Sequence, residues 1–218
     1  MSKFISKTQE QVCGDRLDGF SRTHKIDYRR SLTVSEEGPG TNIFTVPSLL
    51  TPQECEQIIN LYKNNQQHAA PGTTLGGMSP NKHDIEMTIS DRTEIDFLAV
   101  EELLRKRLWE LRQAITPILR PYFTRPIQDS GFKFQHYKPA IHYYDWHVDA
   151  APGRQLALLI YLNDVAEGGE TGLWYQRLNV KPETGKALIF PANPGYPHCG
   201  FPPAKEDKYI VTSFFVDG

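Results

Sequence analysis

His147 and Asp149 stand two apart in Trp146-His147-Val148-Asp149, and in an extended strand that spacing aims an imidazole and a carboxylate at one point. No other His-x-Asp occurs in the chain. A second histidine, His198, follows Asp149 by 49 residues at the end of GKALIFPANPGYPH, and Lys208 lies ten residues further on. Neutral imidazoles and an ionised carboxylate are metal ligands; two histidines and one carboxylate on one face of an ion leave its opposite face open. Each residue also has a plainer reading. A strand histidine is more often a satisfied core or surface residue, and His24, His68, His83 and His136 keep that reading, with a supporting place beside His147 left open for His142. Lys208 alone would be a solvated lysine opening a strand. The order and offsets of the four residues lift them above it.

The elements that must position these residues are legible from pattern. Residues 1–40 are polar and end in the turn-rich SEEGPG, which reads as an arm, with a single domain over 41–218. NIFTVPSLL reads as a short strand, and Thr51-Pro52-Gln53-Glu54 supplies an N-cap, a first-turn proline and a capping-box glutamate. A helix follows with Cys55, Ile58, Ile59 and Tyr62 facing inward. Next, AAPGTTLGGMSP reads as a long loop, whose part from Pro71 to Pro80 is either a lid or a passive connector. Phe97, Val100, Leu104, Leu108, Leu111 and Ile115 predict a second helix, kinked or ended by Pro117.

From Gly131 the period becomes that of strands: FKFQHY, HYYDWHVD, RQLALLIYL, GKALIF and KYIVTSFFV, separated by turn-formers. RQLALLIYL is apolar on both faces, as an interior strand of a sandwich or barrel must be. The expected fold is mainly β with flanking helices: a double-stranded β-helix (jelly-roll) core braced by two N-terminal helices.

At these residues the chain resembles the Fe(II)/2-oxoglutarate-dependent dioxygenase superfamily, in its prolyl 4-hydroxylase-like branch, over roughly residues 42–218. The family's first block is matched from Tyr137 through Tyr143 and Tyr144 to His147-Val148-Asp149, except that Pro139-Ala140 and one extra residue stand where the family usually has a glycine. Tyr161-Leu162-Asn163-Asp164 and Gly168-Gly169-Glu170-Thr171 match the middle block; Pro182-x-x-Gly185, His198 and Lys208 match the last. The resemblance implies Fe(II) held by His147, Asp149 and His198. It implies 2-oxoglutarate gripped by Lys208, with Tyr137 and Thr171 adding hydroxyls at the same end, O2 as the second cosubstrate, and ascorbate as an optional reductant. It also implies hydroxylation of an unactivated C–H bond with release of succinate and CO2.

The aromatic residues Tyr143, Tyr144, Trp146, Trp174, Tyr175 and Phe214 read mainly as sandwich core and rim, with Trp174, Tyr144 and Tyr143 assigned to the substrate site. Rings beside the metal ligands suit proline-rich or extended peptides. The expected partner is therefore an amino-acid unit, with a prolyl residue in a peptide ahead of a free amino acid or small metabolite. A non-catalytic cupin-like sensor is the alternative from another class, and it has no use for a 2-oxoglutarate grip. A halogenase would lack Asp149, and the HExxH helix of many zinc hydrolases is absent.

Composition narrows the setting. A formal net charge of −2 and the lack of a basic run disfavour nucleic acid. Cys13, Cys55 and Cys199 form no disulfide framework or zinc spacing. The N-terminal residues lack a signal-peptide apolar stretch, and no run of about 18 apolar residues occurs. The expectation is a soluble, cytoplasmic protein with no membrane partner.

Overall fold

The period-two segments of the second half become strands of two antiparallel sheets. The computed structural model describes residues 31–119 and 127–218. Residues 1–30, with Cys13, His24 and most of the expected arm, lie outside the described residues. In chain order the elements are β1 (Ser35–Glu36), β2 (Phe44–Val46), α1 (Pro52–Asn64), a 3-10 turn at Gln66–His68, β3 (Ala70–Pro71), β4 (Lys82–His83), β5 (Ile85–Thr88) and α2 (Ile95–Leu119). The remaining strands are β6 (Ile127–Asp129), β7 (Lys133–Tyr137), β8 (Tyr143–His147), β9 (Arg154–Tyr161), β10 (Thr171–Leu173), β11 (Leu178–Val180), β12 (Ala187–Pro191), β13 (His198–Gly200) and β14 (Lys208–Asp217).

The larger sheet runs β1-β2-β12-β9-β14-β7-β5-β3, with β6 paired to β14; the smaller runs β11-β10-β13-β8-β4. The doubly apolar β9 lies inside the larger sheet, between β12 and β14. Its alternate residues enter two different clusters. Leu156, Leu158 and Ile160 join the helix side chains, while Ala157, Leu159 and Tyr161 join Leu173 and Val180 of the smaller sheet. That division is what a period of two demands of a strand covered on both faces.

Thr51 caps α1 as its sequence predicts: Glu54 N donates to Thr51 Oγ1, and Thr51 N donates to Glu54 Oε2. Its buried face is Cys55, Ile58, Leu61 and Tyr62; Ile59, expected inside, only borders the cluster. All six apolar residues expected to face inward from α2 are buried. Pro117 does not end that helix, which continues to Leu119. A proline this near a terminus forfeits only one late helix bond.

Two stretches hold more order than the sequence suggested. Ser35–Glu36 pairs with Phe44–Thr45, so the larger sheet begins inside the segment read as an arm. Within the expected loop, Ala70–Pro71 pairs with Ile85–Glu86, and Thr74 and Gly77 close a tight turn. Both pairings are two residues long, too short for periodicity to signal. No helix among the described residues is long and apolar enough to cross a membrane.

Candidate metal centre

His147 ends β8 and His198 opens β13, and the two are direct cross-strand partners. Two residues further along β13, Gly200 pairs with Tyr144, so three residues of β8 oppose two of β13. This bulge turns Tyr144 and His147 to the same side, and their rings stack with centroids 3.5 Å apart. Asp149 follows at the two-residue interval. One ligand atom from each of His147, Asp149 and His198 falls within 4.8 Å of the others. Asp149 Oδ2 lies 3.3 Å from His198 Nε2, and Asp149 Oδ1 lies 3.8 Å from His147 Nε2.

The donor chemistry fits a cation. His198 Nδ1 lies 3.1 Å from Tyr196 O, and His147 Nδ1 lies 2.7 Å from Asp145 O. A neutral ring has one N–H, yet each ring faces an oxygen from both of its nitrogens. With Nδ1–H spent on the backbone, both Nε2 lone pairs point toward the Asp149 carboxylate, an arrangement that a shared metal ion relieves. Burial, and then the charge of His198, push His147 down to about 4, so a proton is a poor substitute there. Burial would raise the Asp149 carboxyl, but hydrogen bonding and charge from His198 outweigh it and hold the group below its ordinary value.

Lys208 occupies the other end of the same cavity, a space of about 580 Å³. It pairs across strands with Tyr137, whose ring centroid is 4.9 Å from the ammonium; that of Tyr161 is 5.8 Å away. Lys208 is 1 % exposed, and no carboxylate among the described residues forms an ion pair with it. Burial pushes its ammonium down to about 8. Thr171 pairs with Gly200 and therefore faces inward beside it, where its Oγ1 accepts from Tyr161 Oη at 2.8 Å. The turn delivering Thr171 uses Gly168 and Gly169, both with φ of +74°; a Cβ on Gly168 would meet Pro202 O at 2.5 Å.

Residues 132–216 match the 2OG-Fe(II) oxygenase superfamily. The C-terminal strands are thus similar to a 2OG-Fe(II) oxygenase domain. The chain is also 25 % identical to probable prolyl 4-hydroxylase 3 of Arabidopsis thaliana, over 88 % of this chain and 79 % of that one. Its fold is similar to the viral collagen prolyl hydroxylase of Paramecium bursaria Chlorella virus-1, with a TM-score of 0.64 and 18 % identity over 82 % of this chain and 98 % of that one. A Pseudomonas putida prolyl-4-hydroxylase superposes with a TM-score of 0.61 at 16 % identity, over 81 % of this chain and 94 % of that one. The jelly-roll fold is thus shared with these proteins.

Of the side chains expected around the metal and cosubstrate, His147, Asp149, His198, Lys208, Tyr137 and Thr171 all line one cavity, joined by Tyr144. Tyr143 and Trp174 do not. Tyr143 lies against the His83 ring, and Trp174, one residue beyond the inward-facing Leu173, packs edge-on to Trp146 and is 57 % exposed. A period of two places both on the outer side of the smaller sheet.

Several cavity groups escaped sequence reading. Arg154, the first residue of the strand RQLALLIYL, donates to Asp149 O at 3.3 Å. Glu86 accepts from the Lys82 and Lys133 ammoniums, the Gln135 amide and Thr73 N–H. The alternation Lys82-x-Asp84-x-Glu86 was the available signal, hidden because the surrounding segment reads as loop.

Proposed function

We propose that the chain is an Fe(II)- and 2-oxoglutarate-dependent hydroxylase of an amino-acid unit, a prolyl residue in a peptide or protein ahead of a free amino acid, with release of succinate and CO2. The observation that carries this reading is one cavity lined both by three converging ligand groups and by a buried ammonium that has no ion-pair partner among the described residues. Bound at the three ligand groups, Fe(II) would supply the activation of dioxygen that protein side chains cannot.

The chain's own residues have separable tasks. His147, Asp149 and His198 would hold the iron, with Asp145 O and Tyr196 O keeping the protons on Nδ1 so that each Nε2 is free to ligate. Tyr144 covers one face of the His147 ring against water. Lys208 would receive the distal carboxylate of 2-oxoglutarate, a charge that an apolar pocket alone disfavours. Tyr161 donates to Thr171, which leaves the Thr171 hydroxyl proton free for the same carboxylate. The Tyr137 hydroxyl donates to Gln135 Oε1 at 3.2 Å, a long bond that it would exchange for the cosubstrate.

Likeness to prolyl hydroxylases supports a prolyl unit as substrate. A Trichoplax adhaerens prolyl hydroxylase of similar fold, with a TM-score of 0.63, was solved with a hypoxia-inducible-factor peptide fragment. A free amino acid gains support from the polar residues Thr88, Ser90, Lys133 and Thr212 in the cavity lining, which stand among the rings of Phe132 and Phe214. Succinate release with Fe(II) and 2-oxoglutarate, screened over free amino acids and proline-containing peptides with mass spectrometry of the products, separates the two. Gain of one oxygen by a peptide supports the first reading, and gain by an amino acid alone supports the second. Gain by neither class overturns the substrate reading.

In the same reading, residues 41–218 act as one catalytic domain braced by α1 and α2, supported by the buried cluster that helix and sheet side chains share. Residues 71–80 serve as its lid, since Thr73, Thr74, Leu75 and Gly76 line the cavity. Hydrogen exchange in this segment that is identical with and without substrate overturns the lid. The cytoplasm is its setting, supported by free, buried Cys55 and Cys199.

A further inference from the structure

Lys208 is the first residue of its strand, where a ladder ordinarily frays. On one flank it pairs with Tyr137 of β7; on the other, the β9 ladder ends at Tyr161, opposite Ile210. Leu162 N still donates to Tyr209 O at 2.9 Å, and then β9 is over. Asn163 continues the ladder with its side chain. Its Oδ1 accepts from Tyr209 N at 2.8 Å, and its Nδ2 donates to Asp207 O at 2.7 Å. The same Nδ2 donates to Asp164 O at 2.9 Å, which fixes the orientation of the amide. One side-chain amide thus bonds the backbone on both sides of Lys208, in the places where a further residue of a neighbouring strand would bond it.

From these distances we infer that Asn163 is a positioning residue for 2-oxoglutarate: it fixes the backbone on either side of Lys208 and so sets where the ammonium stands in the cavity. The inference rests on the reading of Lys208 as the cosubstrate grip. The lysine stem is fully buried, with the ammonium over the Tyr137 and Tyr161 rings, and Gly169 and Gly200 leave only the room a single added carbon would fill beside it. A Cβ built on Gly169 would lie 3.5 Å from Lys208 Cδ, and one on Gly200 would lie 3.9 Å from Nζ. With the stem walled in, the remaining freedom of the ammonium is that of its backbone, and a shift at Asp207–Tyr209 passes to Nζ undiminished. Asp207 Oδ1 at 3.0 Å from His136 Nε2 and Tyr209 Oη donating to Asp207 Oδ2 hold side chains, and the β7 ladder holds the opposite edge of the strand, which leaves Asp207 O and Tyr209 N on the β9 side to Asn163.

The test is a double-mutant cycle on the full chain loaded with Zn(II), which binds the triad without turnover, with 2-oxoglutarate titrated calorimetrically. Asn163→Ala is expected to raise the 2-oxoglutarate Kd about tenfold in the native background and less than about twofold in the Lys208→Ala background, since a residue acting through Lys208 has nothing left to position. Zn(II) affinity stays within about twofold. Equal weakening in both backgrounds overturns the inference. So does a fall in Tm with the 2-oxoglutarate Kd unchanged, the signature of a purely structural role. If Lys208→Ala itself leaves that Kd unchanged, the reading of the grip fails first and takes the inference with it. Should Asn163→Ala not fold, Asn163→Asp keeps the acceptor for Tyr209 N–H and loses the donor to Asp207 O. It is expected to weaken 2-oxoglutarate several-fold, again only when Lys208 is present, and the same two results overturn the inference.

Discussion

At the histidine end of the cavity, oxygens and ring nitrogens face one another with more lone pairs than protons, whereas at the lysine end a buried ammonium forms no ion pair with a carboxylate among the described residues. The ends are also built differently. Backbone register fixes the histidine end, through the direct pairing of His147 with His198 and the bulge that turns Tyr144 inward. A long side chain in a glycine-walled channel forms the lysine end. Each end lacks what the other has in excess, so a cation at one and a dicarboxylate at the other satisfy both, which a cavity serving one ligand alone would not require.

The most severe way to break this contrast is to empty the histidine end. His147→Ala, Asp149→Ala or His198→Ala each removes one of three ligands, and activity is expected to fall by more than the roughly 10–100-fold that loss of an outer-shell partner costs. The fold should survive, because the two histidines sit on paired strands and Asp149 lies two residues beyond one of them; circular dichroism and succinate release check the two halves. Full turnover in any one variant would sink the triad.

Lys208→Ala empties the other end. Metal affinity should persist while the 2-oxoglutarate Kd rises by about 10–100-fold, the scale of a lost hydrogen bond to a charged group. An unchanged cosubstrate requirement would assign the grip elsewhere. The pH dependence sharpens the same point. Burial lowers Lys208 to about 8, so the free protein carries the ammonium below that pH and loses it above. Affinity for 2-oxoglutarate should therefore decline as pH rises through about 8, and the decline should vanish in Lys208→Ala. Because the folded value lies below the unfolded one, the stability cost of burying this charge is present at neutral pH and fades as pH rises past 8 toward the ordinary lysine value of 10.5.

Smaller effects separate the cavity from its exterior. Tyr161→Phe removes the donor to Thr171 and should raise the 2-oxoglutarate Kd by about 2- to 10-fold, the worth of one neutral hydrogen bond. Trp174→Ala, outside the cavity, should leave kcat/KM for a peptide substrate within about twofold, as exposed substitutions usually do. A larger loss would bring the outer aromatic face back into substrate binding.

How much of this was legible follows from which signals are periodic. The capping box at Thr51, the α2 stripe from Phe97 to Ile115 and the two-faced β9 each rest on a repeated spacing, and each is found where the pattern places it. The candidate metal triad was readable because Asp149 follows His147 by two and His198 follows at a family-like offset, and their ligand atoms do converge. Tyr143 and Trp174 were assigned by proximity in sequence, and proximity misleads in a strand, where the neighbour of an inward residue points out. The Lys133 and Gln135 bonds to Glu86 depend on pairings between distant segments, for which no local pattern exists.

The extra residue in β8 ties two features together that would otherwise vary independently. In a regular strand, removing one residue exchanges inner and outer faces all along the segment beyond it. Here the interval from Tyr144 to His147 is three rather than two, and both face inward only because of that count. Insertions and deletions that the connecting loops can absorb are thus denied to this short stretch. Its length is a fixed gauge, and any lineage that changed it by one would have to rebuild the metal centre and its stacking partner in the same step.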